Sequence, residues 1–483
     1  MNWLLLSEIV YAIIVILVCL RVVIDTRSNT KTLAYLLLTI FIPVLGIIIY
    51  FSVGINYRKR KMFSKKLLQN EDLAKQIEIE VNQYSQNTFN NSPEHVQVYE
   101  RLSHLLLKDT RSPLTGHNAV KLLFNGENKF PEVLQALRKA EHHIHIEYYI
   151  FEDDEVGRSI EKVLIEKAKE GIEIRFIYDD FGSRSIRKKM VDRLRNAGIE
   201  AFAFSKITFI ALANQLNYRN HRKIIIIDGV VGFVGGINVS DRYVNHAESK
   251  ALFWRDTHLR LEGPGIYYLQ YLFLCDWNFC AEEKLQPNNL FFPRHHADSK
   301  NTKVVQIAAS GPDSNFPSIL FSLLEVISNA KKEILITTPY FIPGESIIDA
   351  LTVAALSGVS IKLLVPDISD SKLVNAAAKS YYDELLKVDV EIYLYQKGFV
   401  HAKTMVADKE IAIVGSANMD YRSFDLNFEV NAIIYDEEIA GQLSNAFYDD
   451  ILNAKKIDRQ AWENRPAIRQ LLEKSARLIS PLL

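Results

Sequence analysis

The sequence predicts an α/β protein of two tandem repeats, with mixed, largely parallel sheets flanked by helices in a pseudo-two-fold arrangement, preceded by an N-terminal transmembrane helical hairpin. Two apolar segments open the chain, strand and helix patterns recur in the same order in each half, and one polar signature occurs twice. The 483 residues exceed one compact core. We divide them into a hairpin (1–56), a basic and helical linker (57–116), two repeats (117–284 and 303–483) and an inter-repeat linker (285–302).

Charge and cysteine content narrow the classes of partner and cofactor. The chain carries 57 Lys and Arg against 58 Asp and Glu, so it lacks the basic excess of a protein that follows a nucleic-acid backbone. Its three cysteines are odd in number and form no CxxC pair, which argues against a disulfide framework and a structural zinc site. We therefore expect no nucleic-acid partner, no metal, no cofactor and a reducing compartment for the folded part.

The N-terminal hairpin is predicted from two apolar segments. Residues 33–53 contain no charged residue, and about 20 apolar residues cross the hydrocarbon core as a helix. Residues 3–24 form a weaker span, with Glu8 and Arg21 near its ends. No small-residue cleavage site follows Leu20, which favours an uncleaved hairpin over a signal peptide.

Two features of the hairpin bear on its shape and orientation. Pro43 and Gly46 favour a kink in the second span over a re-entrant dip. Six cations and no anion occupy residues 58–66, which predicts a cytoplasmic catalytic domain and contact with anionic headgroups, although the short loop also carries Arg27 and Lys31.

Each half then predicts the same series of strand, helix, strand, helix and strand. Apolar alternation marks the strands and a 3.6-residue period marks the helices. Such alternation indicates βαβ units with right-handed crossovers. The predicted elements are 143–151, 156–170, 172–178, 186–197 and 199–204 in the first half, and 333–341, 346–356, 359–365, 372–386 and 390–395 in the second.

The repeated polar signature follows these series, with its two copies 180 residues apart. In each copy a histidine and a lysine two positions apart share one face of a strand, an aspartate follows at a turn, and a second strand delivers an asparagine back near the histidine. A single HxK pair is usually a surface feature, but two copies with identical spacing favour catalysis. The members are His221, Lys223, Asp228, Gly235, Gly236 and Asn238, and His401, Lys403, Asp408, Gly415, Ser416 and Asn418.

HxKxxxxD followed by GxxN, present twice, resembles the phospholipase D superfamily. The N-terminal hairpin, residues 217–223 (NYRNHRK) and residues 254–264 (WRDTHLRLEGP) are further similar to bacterial cardiolipin synthases of the two-span type, over nearly the whole chain. The resemblance implies an enzyme of the bacterial inner membrane, multi-pass, acting on phosphatidylglycerol and cardiolipin.

The doubled motif supplies what a metal-free site needs to break a phosphodiester. One neutral histidine can attack phosphorus while the other, protonated, donates to the leaving alkoxide. Lys223 and Lys403 are expected to bind the non-bridging oxygens, a role for which Ser416 is a further candidate. Asn238 and Asn418 would add hydrogen-bond donors. The residues alone leave the two histidines equivalent; the resemblance implies attack by His221 and acid-base catalysis by His401.

Two carboxylates are candidates for orienting the histidines through the second ring nitrogen. Asp256 stands in the strand that follows the first hairpin, and Glu429 in the strand that follows the second. The resemblance also implies orienting carboxylates here. The alternative is a salt bridge with Arg255 or Arg422.

Asp228 and Asp408 belong to the catalytic motif, but their position at hairpin turns favours a structural role. Residues 142, 143 and 145, all histidine, are interpreted as a solvated strand face rather than metal ligands. The apolar run 207–212 favours core packing. Residues 290–292, in the polar linker, favour membrane contact.

The leading functional hypothesis is phosphatidyl transfer between two phosphatidylglycerol molecules through a phosphohistidine, giving cardiolipin and glycerol. Phospholipid hydrolysis, or transfer to another alcohol, is the alternative within catalysis. A nuclease is disfavoured by the charge balance and the membrane segments. A lipid-binding scaffold with an inactive site is disfavoured because both histidines and both lysines are intact.

Overall fold

A computed structural model gives the architecture. It describes residues 3–25, 29–51, 71–204, 218–246, 251–295, 301–478 and 480. The predicted basic run at 58–66 and the apolar run at 207–212 lie outside the described residues.

The first helix, α1 (Trp3–Asp25), is the only helix of the described residues long and apolar enough to cross a membrane, through its segment Leu6–Asp25. The second apolar segment forms two short helices, α2 (Asn29–Phe41) and α3 (Pro43–Ile49). Thirteen residues of helix reach about 20 Å, short of the roughly 30 Å hydrocarbon core. The described part of the predicted span, residues 33–51, therefore does not form a single spanning helix.

The chain reverses between α2 and α3 instead of kinking. In a continuous helix residues 38 and 46 would lie about 12 Å apart along the axis. A Cβ placed on Gly46 would instead lie 2.6 Å from the backbone of Leu38, so only glycine permits the approach. Ile42, at the reversal, leaves the helical conformation. The doubled-back shape is that of the re-entrant alternative, and the preference for a kink was wrong.

The end of α3 returns to the end of α1. The Tyr50 hydroxyl donates to the Asp25 carboxylate over 3.3 Å, and Asp25 is the last residue of α1. The Tyr50 ring also lies 5.7 Å from the ring of Tyr35, and both pack with Val18 and Val22 of α1. Residue 50 therefore lies at the same end of this bundle as residue 25.

The remaining elements form the linker helices and two α/β repeats. Their helices are α4 (Glu71–Asn90), α5 (Glu94–Gln97), α6 (Glu100–Thr110), α7 (Asn125–Arg138), α8 (Glu155–Lys169), α9 (Lys189–Asn196), α10 (Ile266–Cys280), α11 (Ser318–Asn329), α12 (Glu345–Leu356), α13 (Lys372–Lys379), α14 (Tyr382–Leu386), α15 (Tyr421–Asp425), α16 (Glu437–Ile451), α17 (Arg459–Glu463) and α18 (Ala467–Leu478).

The strands are numbered along the chain in the same way. They are β1 (Thr115–Phe124), β2 (His143–Tyr148), β3 (Glu173–Asp179), β4 (Glu200–Phe204), β5 (Lys223–Ile227), β6 (Val231–Gly235), β7 (Phe253–Arg255), β8 (Thr257–Glu262), β9 (Lys303–Ser310), β10 (Glu333–Thr337), β11 (Phe341–Ile342), β12 (Ser360–Pro366), β13 (Glu391–Tyr395), β14 (Gly398–Val400), β15 (Thr404–Ala407), β16 (Ile411–Gly415), β17 (Met419–Asp420), β18 (Glu429–Tyr435) and β19 (Ala454–Lys456).

The two repeats share one strand order and join into one sheet. The first runs β1-β8-β6-β5-β2-β3-β4 and the second β9-β18-β16-β15-β10-β12-β13, with β1 and β9 paired antiparallel at the junction. Within this sheet, as far as the described residues show, parallel pairing is confined to β2-β3-β4 and β10-β12-β13. The sheet is mixed, as predicted, but it is largely antiparallel rather than largely parallel, because each polar signature folds as an antiparallel hairpin.

Helices cover both faces of the sheet, so its strands are buried on both sides. Helices α10 and α16 share one apolar cluster with strands of both repeats, while separate clusters bury the opposite face of each repeat. Burial on both faces overturns two expectations. His143 and His145 are buried rather than solvated, with the His145 ring stacked on Phe273, and Phe291 packs on both histidines. Of residues 290–292, only Leu290 is exposed, while Phe291 is buried and Phe292 is partly buried.

Candidate active site

The two histidines of the repeated signature stand at the junction between the repeats. Each stands just before a hairpin strand, His221 two residues before β5 and His401 three residues before β15. Each donates its backbone N–H to a carbonyl of the other repeat: His221 to Phe428 at 2.9 Å, and His401 to Arg255 at 2.7 Å. Next to His401, β14 pairs in parallel with β7, and Asn220 forms the matching bridge with Phe428. Backbone pairing between repeats therefore holds both histidines in one site.

The orienting carboxylates are exchanged between the repeats. Nδ1 of His221 lies 2.9 Å from the Glu429 carboxylate, and Nδ1 of His401 lies 2.7 Å from the Asp256 carboxylate. The sequence placed each carboxylate after the histidine of its own half. In the structure each one serves the histidine of the other half, because the two signatures face each other across the repeat junction.

The salt-bridge alternative does not describe Asp256. The guanidinium of Arg255 pairs with Asp450 and reaches only the backbone carbonyl of Asp256. The Asp256 carboxylate contacts His401 and accepts the Thr257 backbone N–H at 2.7 Å. It is fully buried, so its position is held by these bonds.

Ser416 and Gly236 occupy equivalent positions and make the two halves chemically different. The Ser416 hydroxyl donates to the Glu429 carboxylate at 2.5 Å and is fully buried. A Cβ on Gly236 would lie 2.2 Å from a carboxylate oxygen of Asp256, so no side chain fits there. The expectation that Ser416 binds phosphate is corrected: its proton is directed at Glu429, which contacts His221.

Both lysines of the signature are buried beside the histidines. Lys223 Nζ donates to the His221 carbonyl at 2.6 Å, and Lys403 Nζ donates to the His401 carbonyl. Burial lowers the pKa of Lys223 to about 7 and that of Lys403 to about 8, partly offset by Glu429 and Asp256. Among the described residues, no carboxylate lies within ion-pair distance of either Nζ. An anionic ligand would therefore stabilise the charges of both lysines.

Burial also sets the protonation of the histidines. It lowers the pKa of His401 to about 4 and lowers that of His221, with Asp256 and Glu429 acting in the opposite direction. Burial by itself would raise the pKa of each carboxylate, but the nearby lysine and histidine outweigh it and lower both. At neutral pH these shifts favour neutral histidines and ionised carboxylates. The negative charge of a phosphodiester would raise both histidine pKa values.

The two asparagines differ in their partners. Asn238 donates its amide to the Tyr243 hydroxyl at 2.8 Å and accepts the Ile150 backbone N–H at 3.3 Å. Asn418 is buried, and its side-chain oxygen has no hydrogen-bond partner among the described residues. The Asn418 side chain is therefore the less constrained of the two.

Asp228 and Asp408 lie away from the histidines, at the opposite ends of the hairpin strands. Each adopts a left-handed backbone conformation, with φ of 53° and 54°. Each carboxylate accepts three consecutive backbone N–H groups at 2.7–2.8 Å, those of 141–143 and of 331–333. These bonds tie each hairpin turn to the start of β2 or β10, which is a structural arrangement.

Aromatic residues around the histidines were missed by sequence reasoning. The Tyr149 ring lies 4.7 Å from the ring of His221. Around His401, the rings of Trp254, Phe399 and Tyr243 lie 5.5–5.8 Å away. No spacing links these residues in the sequence, apart from the position of Trp254 two residues before Asp256. The aromatic enclosure of His401 explains the strong effect of burial on its pKa.

A buried charged network beneath His221 was also missed. Arg222, next to the histidine, pairs with Asp276 and donates to the Glu429 carbonyl at 3.4 Å. Asn220, on the other side of the histidine, donates to Glu147. The network fixes the backbone on both sides of His221. Among the described residues, no cluster of three or more His, Cys, Asp or Glu side chains could hold a metal ion.

Three segments of the chain match known protein families. Residues 133–261 and 323–451 each match the family described as "Cardiolipin synthase, PLD-like domain", and residues 10–54 match "Phospholipase_D-nuclease N-terminal". The domain boundaries given above stay predictions.

The chain is 41% identical to the cardiolipin synthase of Alkalihalophilus pseudofirmus, over 99% of this chain and 93% of the relative. It is 42% identical to the major cardiolipin synthase ClsA of Bacillus subtilis, over 95% of each. The solved structure of a phosphatidylserine synthase from Haemophilus influenzae shares the fold, with a TM-score of 0.59 at 13% identity, over 80% of this chain and 100% of that chain.

Proposed function

The chain belongs to the cardiolipin synthase family of phospholipase D-like enzymes, and we propose that it transfers a phosphatidyl group from one phosphatidylglycerol to the hydroxyl of another, giving cardiolipin and glycerol. One observation carries the mechanism: each histidine contacts a carboxylate of the other repeat, so two complementary half-sites face one phosphate. No metal or cofactor enters the proposal.

In the first step we assign attack on phosphorus to Nε2 of His221, following the family resemblance. Glu429 holds Nδ1, which directs the neutral Nε2 towards the site and stabilises the positive charge that forms on the ring. His401, protonated once the phosphodiester is bound, donates its Nε2 proton to the glycerol oxygen as the P–O bond breaks. Lys223 and Lys403 would stabilise the charge on the non-bridging oxygens.

In the second step the hydroxyl of another phosphatidylglycerol attacks the phosphorus of phosphatidyl-His221. His401, now neutral, accepts the hydroxyl proton through Nε2, so acid and base alternate on one residue. The P–N bond breaks and His221 is restored. One phosphodiester has been exchanged for another, so the free-energy change is small and mass action sets the direction.

The test is to give the purified protein cardiolipin with and without concentrated glycerol and to identify the products by mass spectrometry. Transferase activity predicts phosphatidylglycerol that increases with glycerol. A hydrolase would instead release phosphatidic acid together with phosphatidylglycerol in amounts that do not depend on glycerol, and that result would establish the alternative, a phospholipase D-type hydrolase. Transfer to another alcohol, the second alternative, predicts no cardiolipin from phosphatidylglycerol but a new phosphatidyl ester when that alcohol is supplied.

The position of the intermediate is tested separately. A brief reaction with phosphatidylglycerol, quenched in alkali to preserve phosphohistidine, is followed by peptide mass spectrometry. The phosphatidyl adduct is expected on His221. In a His401→Ala protein, which lacks both the acid of the first step and the base of the second, the adduct should form slowly and, once formed, persist. An adduct on His401 would reverse the two roles.

For the membrane segments we propose one crossing by α1 and a re-entrant pair, α2 and α3, with the catalytic repeats on the cytoplasmic face of a bacterial cell membrane. The Tyr50 contact with Asp25 supports this arrangement, because it returns the chain to the side on which α1 ends. The cations at 27, 31 and 58–66 then share one side, whereas two crossings would separate them.

Cysteine labelling separates the two topologies. In a protein without native cysteines, one cysteine is placed at residue 3 and, in a second variant, at residue 290. A membrane-impermeant maleimide applied to intact cells should label residue 3 and spare residue 290. A multi-pass hairpin with two crossings would place both residues on the same side, so equal labelling or equal protection of the two contradicts the proposal.

A further inference from the structure

The C-terminal helix α18 carries its apolar residues on the side that faces away from the protein. Ile468, Leu471, Leu472 and Leu478 are 61–80% exposed. Their spacing of three, four and seven residues places them on one stripe of the helix. We name these four residues the C-terminal apolar stripe. A helix that only packs on a soluble domain shows the opposite arrangement, with its apolar stripe buried.

Ionic contacts fix this orientation of α18. Glu473, on the inner side, is buried and pairs with Arg465 at 2.9 Å and Arg469 at 3.4 Å. Arg477 pairs with Glu384 at 2.5 Å, and its guanidinium lies 4.3 Å from the ring centre of Tyr381. The Arg469–Glu473 pair lies within the helix, but Arg465 and Glu384 lie outside it. The helix is thus attached to the second repeat by its polar side, and rotating it to bury the stripe would break the pairs with Arg465 and Glu384.

The exposed charges of α18 are all positive. Arg469 and Lys474 are exposed and Arg477 is partly exposed, whereas the one acidic residue of the helix, Glu473, is buried and paired. Apolar residues flanked by cations fit the boundary between acyl chains and anionic headgroups. Phosphatidylglycerol and cardiolipin, the lipids of the proposed function, both have anionic headgroups.

A series of contacts connects α18 with the surroundings of His401. Helix α18 packs against α13, which follows the carboxyl end of β12, and ligands bind at the carboxyl ends of such parallel strands. In the segment that connects β12 to α13, Ile368 is exposed, and Asp370 accepts the Tyr340 hydroxyl at 2.7 Å. The Tyr340 ring contacts Phe399, whose ring lies 5.8 Å from His401.

We propose that the C-terminal apolar stripe inserts into the surface of an anionic phospholipid bilayer and holds the mouth of the active site against it. This inference rests on the proposed function, because it names the source from which the site takes its lipid. A diacyl lipid must leave the bilayer to reach the buried histidines. If the opening of the site lies against the bilayer, the acyl chains do not pass through water on the way.

The first test compares two forms of substrate in one preparation. The full-length protein and its Leu471→Gln/Leu472→Gln variant are reconstituted in phosphatidylcholine vesicles, with long-chain phosphatidylglycerol in the bilayer or water-soluble short-chain phosphatidylglycerol outside it. The variant should lose about tenfold or more of its activity on the bilayer substrate and keep its activity on the soluble one. Leu290→Gln is the matched control. Leu290 is 57% exposed, and its neighbour Phe291 contacts His143 at the start of β2, whereas His221 lies near the other end of that strand.

The second test does not depend on activity. Leu472→Trp and, as control, Leu290→Trp proteins are placed in vesicles containing phosphatidylglycerol brominated on its acyl chains, where insertion quenches tryptophan fluorescence. Quenching above the native background is expected only for Leu472→Trp. Equal quenching of the two, or full bilayer activity of the double glutamine variant, overturns the proposal. The proposal is also overturned if sedimentation shows that the native protein is a dimer and the double glutamine variant a monomer. A second copy of the chain would then cover the stripe.

Discussion

Nδ1 of His221 lies 2.9 Å from the carboxylate of Glu429, a residue 208 positions further along the chain and in the other repeat. The reciprocal contact joins His401 to Asp256. Each histidine thus contacts the candidate orienting carboxylate of the other repeat, so in the proposed mechanism the catalytic unit is the pair of repeats.

The exchanged pairs predict which histidine each carboxylate affects. In Glu429→Gln the ring of His221 loses a negative neighbour that raises its pKa, so that pKa should fall, while the pKa of His401 changes little. In Asp256→Asn the effect should appear at His401. Each variant should lose roughly 10²- to 10⁴-fold in kcat. NMR titration of the assigned histidine rings checks the pairing, and a shift at the histidine of the same repeat would contradict it.

The shared site predicts that the losses from the two histidines do not add. His221→Ala and His401→Ala should each remove most of the turnover, and the double variant should be little worse than either, because both act in one reaction sequence. Lys223→Met should lose activity to a comparable degree. Steady-state kcat on phosphatidylglycerol is the measurement. Multiplicative losses in the double variant would mean that two sites work independently.

The buried lysines predict an alkaline limit of activity. The pKa of Lys223 is about 7 and that of Lys403 about 8, below the ordinary 10.5, so in the free enzyme the cations are lost as pH rises through this range. The value of kcat/KM reports the free enzyme, so it should decline once pH exceeds the His401 pKa of about 4 and fall more steeply above pH 7–8, where the lysine cations are lost. The limit on kcat should lie at higher pH, because bound phosphate favours the charged lysines. A kcat/KM that stays level to about pH 10 would contradict the role of the lysines.

Asp228→Asn should lower stability rather than chemistry. The carboxylate accepts three backbone N–H groups, and weakening these bonds costs about 1–3 kcal/mol of the free energy of unfolding. Asparagine tolerates the left-handed conformation, so the backbone is unchanged. Asp389→Asn is the matched control, with φ of 61° and an exposed side chain. Thermal unfolding measures the effect, and a stable but inactive Asp228→Asn protein would show a chemical role.

Activity should survive exhaustive chelation. In the proposed mechanism the buried lysines neutralise the phosphate, and the described residues offer no cluster that could hold a metal ion. Product formation is measured in micelles after chelator treatment, because divalent ions also alter the packing of anionic bilayers. Activity lost on chelation and restored by one specific divalent ion would contradict the mechanism.

Much of the fold was readable from local patterns. The alternating apolar periods predicted the strand and helix series of each half, since these periods depend only on which faces of an element are buried. The errors lie where tertiary contacts decide. The predicted helix over 372–386 is divided into α13 and α14, and the sheet is mainly antiparallel because of its hairpins.

The sequence by itself determined the duplication, the two histidine and lysine pairs and the structural turns at Asp228 and Asp408, because these follow from spacing within one hairpin. Only the tertiary structure decided which carboxylate serves which histidine, because that contact crosses the junction between repeats. The reversal at Ile42 likewise depends on the close approach of Gly46 to Leu38, and the outward stripe of α18 depends on ion pairs with the second repeat. Spacing along the chain carries no information on such distant contacts.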